Sequence, residues 1–117
     1  MTAKSSVRDI GISYLDKYAA KDLEGVAAMF AEDIVLRDWK IRVIGKEKVI
    51  METRKNFDAV DTIAIEVLST HESANTLAAE LKITLNHKEE LYVVDVITLD
   101  PEGKITSIRA YLGRGDN

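Results

Sequence analysis

No cysteine occurs in the 117 residues, so disulfides, thiolate nucleophiles and cysteine-based zinc sites are excluded. Basic residues are in the minority: sixteen Lys and Arg face twenty Asp and Glu, for a formal charge of −4. That balance argues against a dedicated nucleic-acid binder, whose affinity rests on clustered cations releasing counterions. No apolar run is long enough to span a bilayer, and the opening MTAKSSVRDIG holds no signal-like apolar core, so the expectation is a soluble, cytoplasmic protein with no membrane contact. Glycine-rich phosphate loops are missing; Gly113 and Gly115 lie at the tail with no helix after them. The two histidines, His71 in STHESAN and His87 at a hairpin tip, have no metal-motif spacing, and both are expected to be solvated loop residues, so neither metal nor cofactor is expected. The tail tripeptide Arg114-Gly115-Asp116 matches an adhesion motif, but three residues recur by chance and nothing else suggests an extracellular protein.

What remains is 46% hydrophobic and 31% charged, the composition of an ordinary globular chain, and the length fits one domain over residues 1–117. Ser5 or Ser6 can cap a first helix, with Ser6 and Asp9 as a capping box. Val7, Ile10, Gly11, Tyr14, Leu15 and Tyr18 fall on its apolar stripe. Asp22 caps a shorter helix carrying Leu23, Val26, Ala27 and Phe30, and Ala31 to Asp33 reads as a link. The chain then turns extended, with Ile34, Leu36 and Asp38 on one face, and a second extended run covers Ile41 to Ile44. A third helix is predicted from Lys46 to Phe57 with Val49, Ile50, Thr53 and Phe57 inward. Period-two patterns predict strands at Thr62 to Thr70, Asn75 to Leu85, Glu90 to Leu99 and Lys104 to Leu112. Asp100-Pro101-Glu102-Gly103, which holds the single proline, is a turn. Helices followed by a strand meander give an α+β fold, with helices on one face of a curved antiparallel sheet.

The strand Glu90 to Leu99 is apolar on both faces, so its outer face calls for a cover that a second subunit would supply. Asp95 lies in its middle, beside Val93 and Ile97. A carboxylate there must be paired or protonated. With Leu99 opposite Lys104, Asp95 faces Ile108 and desolvation leaves a neutral acid; shifted by one residue, it faces Arg109 as an internal ion pair. The first register sorts Leu91, Ile108, Ala110 and Leu112 from Arg109 and Tyr111 more cleanly and is preferred. Asp38 reads either as a base at a strand end or as a solvated turn residue, and Tyr14 alone reads as core. Together, two donors and one carboxylate in an apolar cavity suit proton abstraction next to a carbonyl.

The stretch Tyr14 to Asp38, with its centre KDLEGVAAMFAED, and the final DVITLDPEGKITSIRAYLG resemble the nuclear-transport-factor-2-like superfamily, nearest its SnoaL-like and ketosteroid-isomerase-like members. The resemblance implies a cone-shaped α+β barrel (the NTF2-like, cystatin-like fold), with three helices on the concave face of a strongly bent sheet, a pocket in the cone, and often a dimer through the outer sheet face. It places Tyr14 and Asp95 on the two oxyanion donors and Asp38 on the base of ketosteroid isomerases, enzymes already known to set an ionised aspartate beside a protonated one. The implied pocket is lined by Tyr18, Trp39, Leu81, Ile83, Ile108 and Leu112. Trp39 stands where the steroid enzymes have proline, Glu52 and Thr53 where they have aromatics, and aliphatic Leu81, Ile83 and Leu85 where they have phenylalanines; with two phenylalanines in the chain, a smaller pocket follows. The expected function is an isomerase-like proton shift on a small apolar carbonyl compound. The alternatives are a non-catalytic domain that binds a small apolar ligand, and a related lyase or cyclase.

Overall fold

The structure, a computed structural model, describes residues 6–113. Ser5 and the Arg114-Gly115-Asp116 tripeptide lie outside the described residues. Helix α1 spans Val7–Ala19, α2 Leu23–Ala27 and α3 Lys46–Asp58; the strands are β1 Phe30–Arg37, β2 Arg42–Ile44, β3 Ile63–Ser73, β4 Thr76–Leu85, β5 Glu89–Leu99 and β6 Ile105–Leu112.

Local chemistry starts each of the first two helices. The Ser6 hydroxyl accepts from the Asp9 amide at 3.0 Å, and the Ser6 amide donates back to Asp9 Oδ2 at 3.5 Å, a complete capping box. Asp22 accepts from the Gly25 amide at 2.9 Å and caps α2. Lys21, at φ 56°, turns the chain between the two helices, and its ammonium donates to the Val60 carbonyl at 2.6 Å. That bond ties the end of α1 to the connection that leads into β3.

The sheet runs β2-β1-β6-β5-β4-β3. Its β1–β6 pair is parallel and the other pairs are antiparallel. The sheet curls without closing, so the fold is α+β as expected, but it is an open curled sheet and not a closed barrel. The helices cover the concave side, and the fully buried Leu15, Val26, Ile34, Val49, Leu77, Leu81, Ile97 and Ile105 form the core between them and the strands.

Several details depart from the reading of the sequence. Residues Ala31 to Asp33 are not a link: β1 begins at Phe30, where the Met29 carbonyl already accepts from the Ile105 amide at 2.8 Å. His71 is not in a loop but near the end of β3, opposite Ala78, because β3 continues past a register shift between Val67 and Ser69. The most consequential difference is the β5–β6 register. Asp95 pairs with Ala110, not with Ile108 or Arg109. Ile105 pairs with Leu99 but Ser107 pairs with Thr98, so Thr106 is an extra residue that advances β6. The observed pairing lies two residues from the preferred register. Because strand side chains alternate, a two-residue slip returns the same face, and Ile108 and Ala110 still point inward while Arg109 is exposed.

Helix α1 meets β4 through Gly11, where a β-carbon would collide with Leu77 Cδ2. Leu77 is fully buried and cannot swing aside. Gly11→Ala gains about 1 kcal/mol of helix propensity, but overpacking a fixed core costs about 1–3 kcal/mol. The substitution is expected to lower the melting temperature by a few degrees in a thermal scan. An unchanged or raised melting temperature would show that α1 is free to lift from the sheet.

Candidate functional site

Curling the sheet beneath α1 and α3 leaves a cavity of about 330 Å³. That is at the lower end of the range for small-molecule sites. Its walls are chiefly aliphatic: Leu36, Val49, Ile63, Ile65, Ile83, Leu85, Leu91, Val93 and Ile108. The polar and aromatic groups among them are Tyr14, Tyr18, Asp38, Trp39, Lys40, Thr53, Asn56 and Asp95.

Tyr14 and Tyr18 arrive one helical turn apart on the inward stripe of α1. Their ring centroids are 5.9 Å apart and tilted by 55°. Tyr14 also leans on Phe30 at 6.3 Å, and Tyr18 meets Phe57 edge-on at 4.9 Å. Burial, the neighbouring Tyr18 and the Asp95 carboxyl all push the Tyr14 phenol well above its ordinary value, so it stays a neutral donor at physiological pH. Burial also raises Tyr18, partly offset by a hydrogen bond from Asn56 Nδ2 to its oxygen at 3.3 Å; the Asp95 and Asp38 carboxyls raise it further.

Asp95 is 9% exposed, in the middle of β5. Its cross-strand neighbours are Ala79 on β4 and Ala110 on β6. Ala110 lines the cavity next to the carboxyl, while Ala79 is fully buried in the core. Arg109 pairs with Val96, whose side chain alternates to the outer face, so no ion pair forms. Burial raises the Asp95 carboxyl to about 7. Neither Asp95 nor the Tyr14 hydroxyl has a hydrogen-bond partner among the described residues, yet none of the described polar side-chain atoms is shut away without one. Both groups are therefore reached from the cavity.

Asp38 enters from the other side. The strand ends at Arg37, two residues before the alternation through Trp39 suggested, and Asp38 opens a turn. Its Oδ1 accepts from the Lys40 and Ile41 amides at 2.7 and 2.8 Å, and its own amide donates to the Ile41 carbonyl at 3.0 Å. One carboxylate oxygen is thus fixed by the backbone, while the residue still lines the cavity.

Of the nine residues singled out from the sequence, Tyr14, Asp38, Asp95, Tyr18, Trp39, Ile83 and Ile108 line this one cavity. Leu81 and Leu112 do not. Leu81 is fully buried in the core, and Leu112, at the end of β6, is 47% exposed. Asn56 was missed, although a signal existed: Val49, Thr53 and Asn56 share one face of α3 at helical spacing.

Linkage gives this site a stability signature. Between its unfolded value of 3.8 and its folded value of about 7, Asp95 holds a proton in the folded state that the unfolded chain has lost. Stability therefore falls as pH rises through that window, by up to about 4 kcal/mol. Asp95→Asn removes the effect. Urea denaturation at pH 4 and pH 8 should show the variant gaining on the wild type by up to about that amount at the higher pH. Parallel pH profiles would mean the carboxyl is solvated or paired.

Comparison with known proteins places this geometry in context. The SnoaL-like domain family matches residues 12–108. A steroid Δ-isomerase from Nocardioides simplex is 30% identical over 106 residues, covering 88% of this chain and 86% of that enzyme. Among solved structures, a putative ketosteroid isomerase from Kribbella flavida superposes with a TM-score of 0.81 at 18% identity, covering 95% of this chain and 80% of that one. SalBIII, an epoxide hydrolase/cyclase-like enzyme of pyran ring formation in polyether salinomycin, gives 0.81 at 25% identity, covering 94% and 92%. The chain belongs to the SnoaL-like family of the nuclear-transport-factor-2-like superfamily.

Proposed function

We propose that this protein is an isomerase of the ketosteroid-isomerase type, moving a proton at a carbon α to a carbonyl in a small, largely apolar substrate. The observation that carries the reading is the pairing of two unlike carboxyls in one apolar cavity: Asp95, desolvated and without a partner, and Asp38, held by backbone amides at the rim. The steroid Δ-isomerase relative supports the same chemistry.

In this reading the substrate carbonyl oxygen sits against the Tyr14 hydroxyl and the protonated Asp95. Both are donors, and both gain strength as negative charge develops on that oxygen in a water-poor site. Asp38 takes the α-proton on the carboxylate oxygen that the turn leaves unbonded, giving an enolate. For a β,γ-unsaturated ketone, return of the proton to the γ-carbon gives the conjugated isomer. The base then returns to its starting state, and no external oxidant or reductant enters the balance. The aliphatic lining keeps water from competing for the enolate.

The outer sheet face belongs to the same reading as a homodimer contact. Tyr92, Val94 and Val96 of β5 stand there half-buried, next to exposed Tyr111 of β6. Sedimentation at micromolar concentration should give a dimer, and a monomer there would remove this part of the proposal.

The assay is the rise in ultraviolet absorbance as a β,γ-unsaturated ketone becomes conjugated. Asp38→Asn should lower kcat by roughly 10²–10⁴, and Tyr14→Phe by roughly 10²–10³. In the wild type, kcat/KM should decline on the alkaline side with an apparent pKa near that of free Asp95, about 7. An amide donates at any pH, so Asp95→Asn should keep part of the activity and lose that decline. Equal activity of wild type and Asp38→Asn would refute the isomerase reading.

A further inference from the structure

The mechanism above uses Tyr14, Asp38 and Asp95, yet the cavity holds one more hydroxyl with an unspent proton. Tyr18 Oη accepts from Asn56 Nδ2 at 3.3 Å, which occupies a lone pair and leaves the phenolic hydrogen free to donate. No described side chain takes that hydrogen, and Tyr18 lines the cavity. The ring cannot turn away, because Phe57 packs edge-on against it at 4.9 Å and Tyr14 lies at 5.9 Å. The amide that orients the hydroxyl comes from a different helix, so the donor is built by α1 and α3 together. Tyr18 also differs from Tyr14 in what surrounds it: the Tyr14 phenol is raised by Asp95, whereas Tyr18 is raised by both Asp95 and Asp38. It therefore stands within the field of both carboxyls.

The two tyrosines stand one turn apart on the cavity side of α1, with ring centroids 5.9 Å apart and the planes tilted by 55°. A substrate oxygen held at Tyr14 therefore leaves Tyr18 facing another part of the same molecule. We infer that Tyr18, oriented by Asn56, is a specificity-determining donor for a second substrate oxygen away from the reacting carbonyl, so that the preferred substrates are ketones bearing a second oxygen and not plain hydrocarbon ones. This rests on the isomerase reading for the placement of the first oxygen at Tyr14 and Asp95.

The test is binding, not turnover. A phenol presents its oxygen as an enolate does, and 4-methoxyphenol and 4-ethylphenol differ only in an ether oxygen for a methylene at the para substituent. Titration calorimetry on the full chain should show 4-methoxyphenol binding roughly three- to tenfold tighter, the worth of one neutral hydrogen bond. Tyr18→Phe keeps the ring packing and should abolish the preference while leaving 4-ethylphenol affinity within about twofold. Asn56→Ala should shrink the preference by releasing the hydroxyl. Tyr14→Phe should weaken both phenols together. If Tyr14→Phe weakens both but the wild type shows no preference, or Tyr18→Phe retains it, the second-oxygen subsite is refuted and the isomerase reading stands. If neither phenol binds, or Tyr14→Phe changes nothing, the subsite falls together with the oxyanion role assigned to Tyr14.

Discussion

The structure turns on a carboxyl that the fold buries and does not pair. Asp95 lies in a largely apolar strand, and among the described residues no cation pairs with it. A lysine or arginine at the inner positions of β4 or β6 would have made it a structural ion pair. The sequence puts alanine at both cross-strand positions, Ala79 and Ala110, and sends Arg109 to the outer face. Neither alanine can partner the carboxyl. Ala79 is packed in the core, and Ala110 lines the cavity beside it. Burial without a partner among the described residues makes Asp95 a proton-holding acid, at a cost in stability that grows with pH.

Most of the architecture was legible because it rests on local periodicity. The stripe on α1, the caps Ser6 and Asp22, the alternation in β4 and β5 and the turn at Pro101 are all short-range signals, and each element formed within a few residues of where its pattern placed it. The elements that escaped depend on distant partners. Phe30 to Asp33 carries no clean alternation, yet it is strand because β6 lies beside it in parallel. The extra residue Thr106 is set by how β6 must pass both β5 and β1, and nothing within the hairpin announces it. The face of Asp95 came out right although its opposite residue did not, since the error was an even number of positions. An odd slip would have turned Arg109 inward and reversed the reading of the cavity.

The cavity was legible only in part, for a similar reason. Residues on strong stripes, Tyr14 and Tyr18 on α1 and Ile83 on β4, project where the stripe points. Leu81 shares the face of Ile83 but lies deeper in the curl, where the helices sit directly on the sheet, so it packs as core. Leu112 shares the face of Ile108 but lies beyond the helices, so it is exposed. Alternation predicts which face a side chain takes. It does not predict how far along the strand the covering layer extends. Asn56 shows the converse, a polar residue that is exposed and yet reaches the cavity wall because α3 stands at its mouth.

The contrast between the two aspartates follows from backbone geometry, not from residue type. Asp38 and Asp95 are chemically identical. One ends a strand, so the chain can bend and present two amides to a single oxygen, and water reaches the site. The other lies mid-strand, where every nearby amide is committed to the ladder and none can turn to the carboxyl. The same fold is shared by the hydrolase/cyclase-like neighbour and the putative isomerase at equal TM-scores, so the curled sheet by itself does not select a reaction. Selection lies in which strand positions carry carboxyls, which of those the backbone can bond, and what the helices contribute opposite them. In this chain α1 contributes two phenols, neutral groups that bring no positive charge to ionise Asp95. An arginine in the place of either tyrosine would stabilise the ionised form of Asp95, so the neutral phenols are what let a desolvated carboxyl keep its proton beside them.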